Sequence, residues 1–133
     1  MKFGYAPWLP ETEPVSKFTE ALGDNRLLGA QCRKCKQTYL PPRSHCKCGS
    51  TDFEWFNAPN RGKIRTYTVV SATTESMSKY APYIVGIVDF EKDMSLIGQL
   101  TGVTRSTLKV GLSVRLVARK LDTDHIVYEF GPP

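Results

Sequence analysis

The sequence is poor in the residues that most enzymatic reactions need. It has only two histidines, His45 and His125, and no glycine-rich phosphate loop, since Gly62 and Gly102 stand alone. Ser71 and Ser76 have no evident base, and no paired carboxylates fall outside turns. His125 sits beside Asp122 and Asp124, which reads as a solvated histidine flanking a hairpin turn rather than half of a catalytic dyad. No apolar run approaches the length of a membrane span, and the N-terminus has no basic region followed by a hydrophobic one. These absences predict a chain that is not by itself an enzyme, with no membrane segment and no secretory leader.

Cysteine is also scarce, but it is concentrated. All four cysteines of the 133-residue chain lie between Cys32 and Cys48, as Cys32-Arg33-Lys34-Cys35 and Cys46-Lys47-Cys48-Gly49. Two close pairs separated by a short basic loop suit a tetrahedral thiolate site, each pair on one tight turn facing the other. A disulfide framework would go with a secretory signal, and packing alone would not call for two clusters. The expected ion is structural zinc, because four protein ligands leave no open position for water or substrate. The second pair is one residue shorter than the usual spacing. Two ligand sets are therefore open: Cys32, Cys35, Cys46 and Cys48, or a set in which His45 replaces Cys46. Reduced, metal-bound cysteines without a targeting segment point to the cytoplasm.

Charge is unevenly placed. Residues 26–65 carry nine Lys or Arg against only Asp52 and Glu54, whereas residues 66–133 balance seven against seven. A local positive field of this kind favours a polyanion, a phosphorylated cofactor or an acidic protein surface.

Along the chain, Phe3, Tyr5 and Trp8 lie among prolines without helical or strand period, and either lie across their own domain or anchor an interface with another subunit. Thr12 to Leu22 reads as a short helix capped by Thr12, with Val15, Phe18, Ala21 and Leu22 as its apolar stripe and Gly23 and Asn25 as its stop. Arg26–Gln31 leads as a strand into the first cysteine pair, Thr38–Leu40 leads out, and Asp52–Phe56 closes a zinc ribbon. Asn57–Asn60 is the expected joint. Beyond it come five strands: Lys63–Ser71, Tyr83–Phe90, Ser95–Leu100, Val114–Leu121 and Ile126–Phe130. On the first, Ile64, Thr66, Thr68 and Val70 share one face by simple alternation. Five strands in so short a stretch suggest a small closed antiparallel barrel, an OB-fold above all. The polar loop from Ala72 to Pro82 is a candidate for ligand contact. The expected fold is mainly β, with an N-terminal extension and helix over residues 1–25, the ribbon over 26–57 and the barrel over 58–133.

This order of elements carries a resemblance. Cys32-x-x-Cys35, Pro41-Pro42-Arg43, Cys48-Gly49-Ser50, Arg61-Gly62-Lys63-Ile64-Arg65-Thr66-Tyr67, Ala81-Pro82-Tyr83-Ile84-Val85-Gly86 and Val110-Gly111-Leu112-Ser113-Val114 together are similar to a known family. They resemble the zinc-ribbon/OB-fold proteins catalogued as a domain of unknown function and associated with acyl-CoA metabolism. The resemblance implies a rubredoxin-like ribbon and a non-catalytic accessory subunit. It also implies partners of the thiolase-fold or acyl-CoA synthase type, and contact with acyl-CoA or CoA. Such a ligand needs cations near an aromatic or apolar shelf, and Arg61, Lys63, Arg65 and Tyr67, with Lys79 and Tyr80 in the long loop, are the candidates. The alternative function is single-stranded nucleic-acid binding by the same basic and aromatic residues, against which stands the neutral charge of residues 66–133.

Overall fold

The computed structural model describes residues 12–91, 94–104, 106–121 and 125–133, together with the backbone of residues 2–3; of Ser76 only the backbone is described. In chain order the elements are β1 (Lys2–Phe3), α1 (Glu13–Gly23), β2 (Leu27–Cys32), β3 (Thr38–Tyr39), β4 (Phe53–Ala58), β5 (Arg61–Val70), a 3₁₀ helix (Glu75–Tyr80), β6 (Tyr83–Asp89), β7 (Ser95–Leu100), β8 (Ser113–Lys120) and β9 (His125–Gly131). Tyr5 and Trp8, expected as anchors, lie outside the described residues, as does the turn at Asp122–Asp124.

The helix starts and stops by backbone rather than side-chain chemistry. Thr12 has extended backbone but its hydroxyl makes no capping hydrogen bond; its carbonyl accepts from Ser16 N at 2.9 Å. At the other end Asn25 takes a left-handed conformation (φ 57°). Its N–H donates to Leu22 O (2.9 Å), and Arg26 N donates to Ala21 O (2.8 Å). These two bonds form a Schellman stop, for which Asn is a good residue because it tolerates positive φ. Pro14, Phe18, Thr19, Ala21 and Leu22 are buried, while Val15, expected in the stripe, is half-buried.

The ribbon is a three-stranded sheet ordered β3-β2-β4, with β2 antiparallel to both neighbours. The barrel runs β9-β7-β6-β5-β8 and closes through the antiparallel β8–β9 ladder, while β1 adds to β9 in parallel. A closed sheet of five strands leaves no free edge inside the barrel, which is the OB-fold solution. Only Pro59 and Asn60 separate β4 from β5, and Asn60 O already accepts from Leu116 N at 2.7 Å. One core spans helix, ribbon and barrel: Phe18, Leu22, Leu27, Leu40 and Ala58 are in one cluster with Ile64, Val88, Leu116 and Phe130. From outside that cluster, Lys17 lies over the Trp55 ring at 4.8 Å, a second tie between α1 and the ribbon.

Three local expectations are corrected. First, β5 does not alternate simply. Its register against β6 shifts between Ile64 and Thr66, so Arg65 is an extra residue in the ladder. Cross-strand partners share a face. Ile64 (opposite Val88), Tyr67 (opposite Gly86) and Val69 (opposite Ile84) therefore point inward, and Thr66, Thr68 and Val70 point outward. A bulge reverses the parity of everything beyond it. Second, His125 is not solvated: it opens β9 at 8% exposure, and its carbonyl accepts from Leu121 N at 2.7 Å. Third, the loop after β5 is not irregular throughout, because Glu75–Tyr80 winds into the 3₁₀ helix and Thr73 Oγ1 lies 3.1 Å from the Tyr83 hydroxyl.

Candidate metal centre and basic strand

The two cysteine turns are built on one plan. In the first, Cys32 N donates to Gln37 O and Lys36 N to Cys32 O, both at 2.9 Å, and Lys36 takes a left-handed φ of 65°. In the second, Cys46 N donates to Ser50 O and Gly49 N to Cys46 O, again at 2.9 Å, with Gly49 at φ 91°. Each bond of the second turn spans one residue fewer, so the shorter spacing is a deletion within the turn and the thiols still converge. The four Sγ atoms of Cys32, Cys35, Cys46 and Cys48 all lie within 4.8 Å of one another. Cys32–Cys48 is 3.7 Å and Cys35–Cys46 is 3.3 Å. A tetrahedron with metal–sulfur bonds of about 2.3 Å has edges of about 3.8 Å, so this donor set fits zinc. His45 is exposed and outside the group.

Electrostatics also calls for a cation. In the metal-free chain Cys46 is pulled down to about 6, first by the backbone N–H of Cys48 and then by the Tyr39 hydroxyl. Cys35 is pushed up to about 11: the backbone N–H of Gln37 favours its thiolate, but the neighbouring thiols, Cys46 foremost, and burial outweigh it. Four thiolates this close cannot coexist unless a divalent ion sits among them. Zinc supplies that charge and ties the two turns together. With four sulfur ligands it has no position left for substrate, so its role is structural.

Tyr39 was not evident from sequence as part of this centre. Its hydroxyl lies 3.3 Å from Cys46 Sγ and accepts from Lys47 N at 3.2 Å. Its ring packs edge-on to Phe53 and under the Arg43 guanidinium (4.9 Å).

The six candidate ligand residues are not gathered at one place. Arg61 and Lys63 are exposed on the outward face of β5. Arg65, on the same face by alternation from Lys63, is engaged with Asp89: Nε donates to Oδ2 at 3.0 Å and a second guanidinium nitrogen contacts Oδ1. Tyr67 is 38% exposed on the inward parity, roughly 20 Å along the strand from Arg61. Lys79 covers the ring of its neighbour Tyr80 at 5.1 Å.

Comparison with known proteins follows the same division. Residues 19–54 match the family described as ChsH2, rubredoxin-like zinc ribbon domain, and residues 55–119 match ChsH2, C-terminal OB-fold domain. A "DUF35 domain-containing scaffold protein" of Methanocaldococcus jannaschii is 32% identical over 100 residues, covering 74% of this chain and 71% of that protein. The chain belongs to the DUF35 family. A second relative, "Benzoylsuccinyl-CoA thiolase subunit BbsA" of Thauera aromatica, is 30% identical, covering 73% of this chain and 72% of its own. Among solved structures, a chain of the "Ltp2-ChsH2(DUF35) aldolase" superposes with a TM-score of 0.78 at 25% identity, over 94% of this DUF35 chain and 98% of that one.

Proposed function

We propose that this DUF35 protein is a non-catalytic accessory subunit that associates with a thiolase-fold acyl-CoA enzyme and contacts its CoA substrate. The observation that carries the reading is the closed four-sulfur centre. Among the described residues it is the one group of three or more His, Cys, Asp or Glu side chains placed to hold a metal, and it is built for rigidity rather than turnover. The relatives support the partner class. One is named a scaffold protein, another a thiolase subunit, and the superposed chain comes from an aldolase named together with its DUF35 component. The exposed cations of β5 support contact with a phosphorylated coenzyme. Nucleic-acid binding is less well supported, because the bulge turns Tyr67 away from the face of Arg61 and Lys63, and stacking and phosphate tracking need both on one face.

The test is a low-salt pull-down of the tagged protein from its native extract, followed by co-elution of the purified pair on size exclusion. Recovery of a thiolase-fold enzyme that stays bound through chromatography is the expected result. Recovery of ribonucleoprotein or DNA-handling proteins, lost on nuclease treatment, would sink the proposal.

A further inference from the structure

β5 and β8 bring cations together. Leu116 N donates to Asn60 O (2.7 Å) and Ile64 N to Leu112 O (3.0 Å), which makes those pairs the hydrogen-bonded ones of the ladder. Arg61 opposite Arg115, and Lys63 opposite Ser113, are then the non-hydrogen-bonded pairs, where Cα atoms stand about 4.5 Å apart and side chains are closest. All four side chains are exposed, on the face opposite the buried Val114 and Leu116. Two arginines directly across a ladder repel one another, an arrangement that sheets avoid.

The carboxylate that the ladder pairs with this group is already committed. Asp89 stands opposite Lys63 on the β6 side, but it is engaged by Arg65. Glu129, further along the β8–β9 ladder, accepts from Arg119. Among the described residues Arg61, Lys63 and Arg115 make no ion pair. The β5–β8 register thus leaves three cations and a hydroxyl at one place with donors to spare.

We propose that Arg61, Lys63, Arg115 and Ser113 form a binding site for a phosphate group. Two guanidinium forks side by side match the paired oxygens of a phosphate, the ammonium adds a point charge, and the hydroxyl adds a donor. A phosphate dianion, with its three acceptor oxygens, answers three positive charges better than a single carboxylate does. Arg115 lies 54 residues from Arg61 in the chain and enters the site only through the β5–β8 register. The site rests on this geometry; that its phosphate is carried by the coenzyme rests on the function proposed above.

The experiment is calorimetric titration of the full zinc-loaded protein at constant ionic strength with coenzyme A, with dephospho-coenzyme A (which lacks the ribose phosphate) and with inorganic pyrophosphate. It is repeated on Arg61→Gln/Arg115→Gln and on Lys120→Gln, an exposed cation at the far end of β8. The double variant is expected to bind on the order of tenfold more weakly, with Lys120→Gln unchanged. Coenzyme A binding tighter than its dephospho form, with the difference erased in the double variant, identifies the coenzyme phosphate as the ligand. Pyrophosphate binding that the double variant loses, without discrimination between the two coenzymes, identifies free phosphate. Binding unaffected by the double substitution, or no anion binding at all, overturns the site. Melting temperature without anion is the second readout: removing the facing arginines should raise it or leave it unchanged, and a marked fall would show that they are structural. Anion binding with no enzyme partner recovered would keep this site while removing the accessory role.

Discussion

The Tyr39 hydroxyl donates toward the sulfur of Cys46 at 3.3 Å while accepting the backbone N–H of Lys47 at 3.2 Å, so one phenol bridges a metal ligand and the turn that carries it. Outer partners of this kind orient a ligand and spread its charge. Tyr39 itself is fixed by Phe53 on one side and Arg43 on the other.

Tyr39→Phe keeps the ring packing and removes only the bridge. Zinc affinity should fall roughly tenfold and release to a chromophoric chelator should speed up. An unchanged release rate would mean that the bridge has no hold on the metal.

Zinc loading should release protons and strengthen as pH rises. Near neutrality Cys46, lowered to about 6, is already largely thiolate, whereas Cys35, raised to about 11, still carries its proton and must give it up. Competition titrations between pH 6 and about 8 should show affinity climbing. Cys35→Ser should lose zinc throughout and melt the ribbon. Metal analysis that still found a full complement of zinc in that variant would remove Cys35 from the ligand set.

Tyr128 predicts alkaline instability. Burial pushes its phenol up to about 12 from an ordinary value of 10, and its hydroxyl donates to Ile97 O. The fold therefore favours the protonated form. Its contribution is complete below pH 10 and is lost as pH rises from 10 towards 12, up to about 2–3 kcal/mol. Denaturant unfolding of Tyr128→Phe should show that alkaline loss flattened, at a cost of about 1 kcal/mol near neutrality. A variant as alkali-sensitive as the wild type would place the titrating group elsewhere.

Gly62→Ala should damage the barrel where β5 leaves the joint. A methyl group there would meet the main-chain carbonyl of Asp89 at 2.4 Å and Val88 Cγ1 at 2.7 Å. A backbone atom cannot rotate aside, so a loss of about 3 kcal/mol is expected in equilibrium unfolding. Wild-type stability would mean that the β5–β6 contact is looser than described.

Much of this was legible in the residues because the signals are local. Metal ligands declare themselves by spacing, and β-branched runs between turn residues declare strands. What was hidden depended on pairing. Nothing in Lys63-Ile64-Arg65-Thr66 announces a bulge, since the extra residue exists only relative to β6, and with it went the facing of Tyr67. Alternation along β8 puts Arg115 on the outer face, but only the register sets it against Arg61. His125 looked solvated because aspartates precede it, whereas its burial is imposed by the sheet it enters. Tyr39 carried one usable signal, a polar-tipped aromatic placed between two cysteine turns.

Pro59 and Asn60 leave the chain no slack. Asn60 is already bonded to β8, and Leu27, Leu40 and Ala58 lie in one apolar cluster with Ile64. The ribbon and the barrel therefore have no core apart from one another. A graft that borrowed the ribbon alone would carry off Leu27, Leu40 and Ala58 with their inner sides bare.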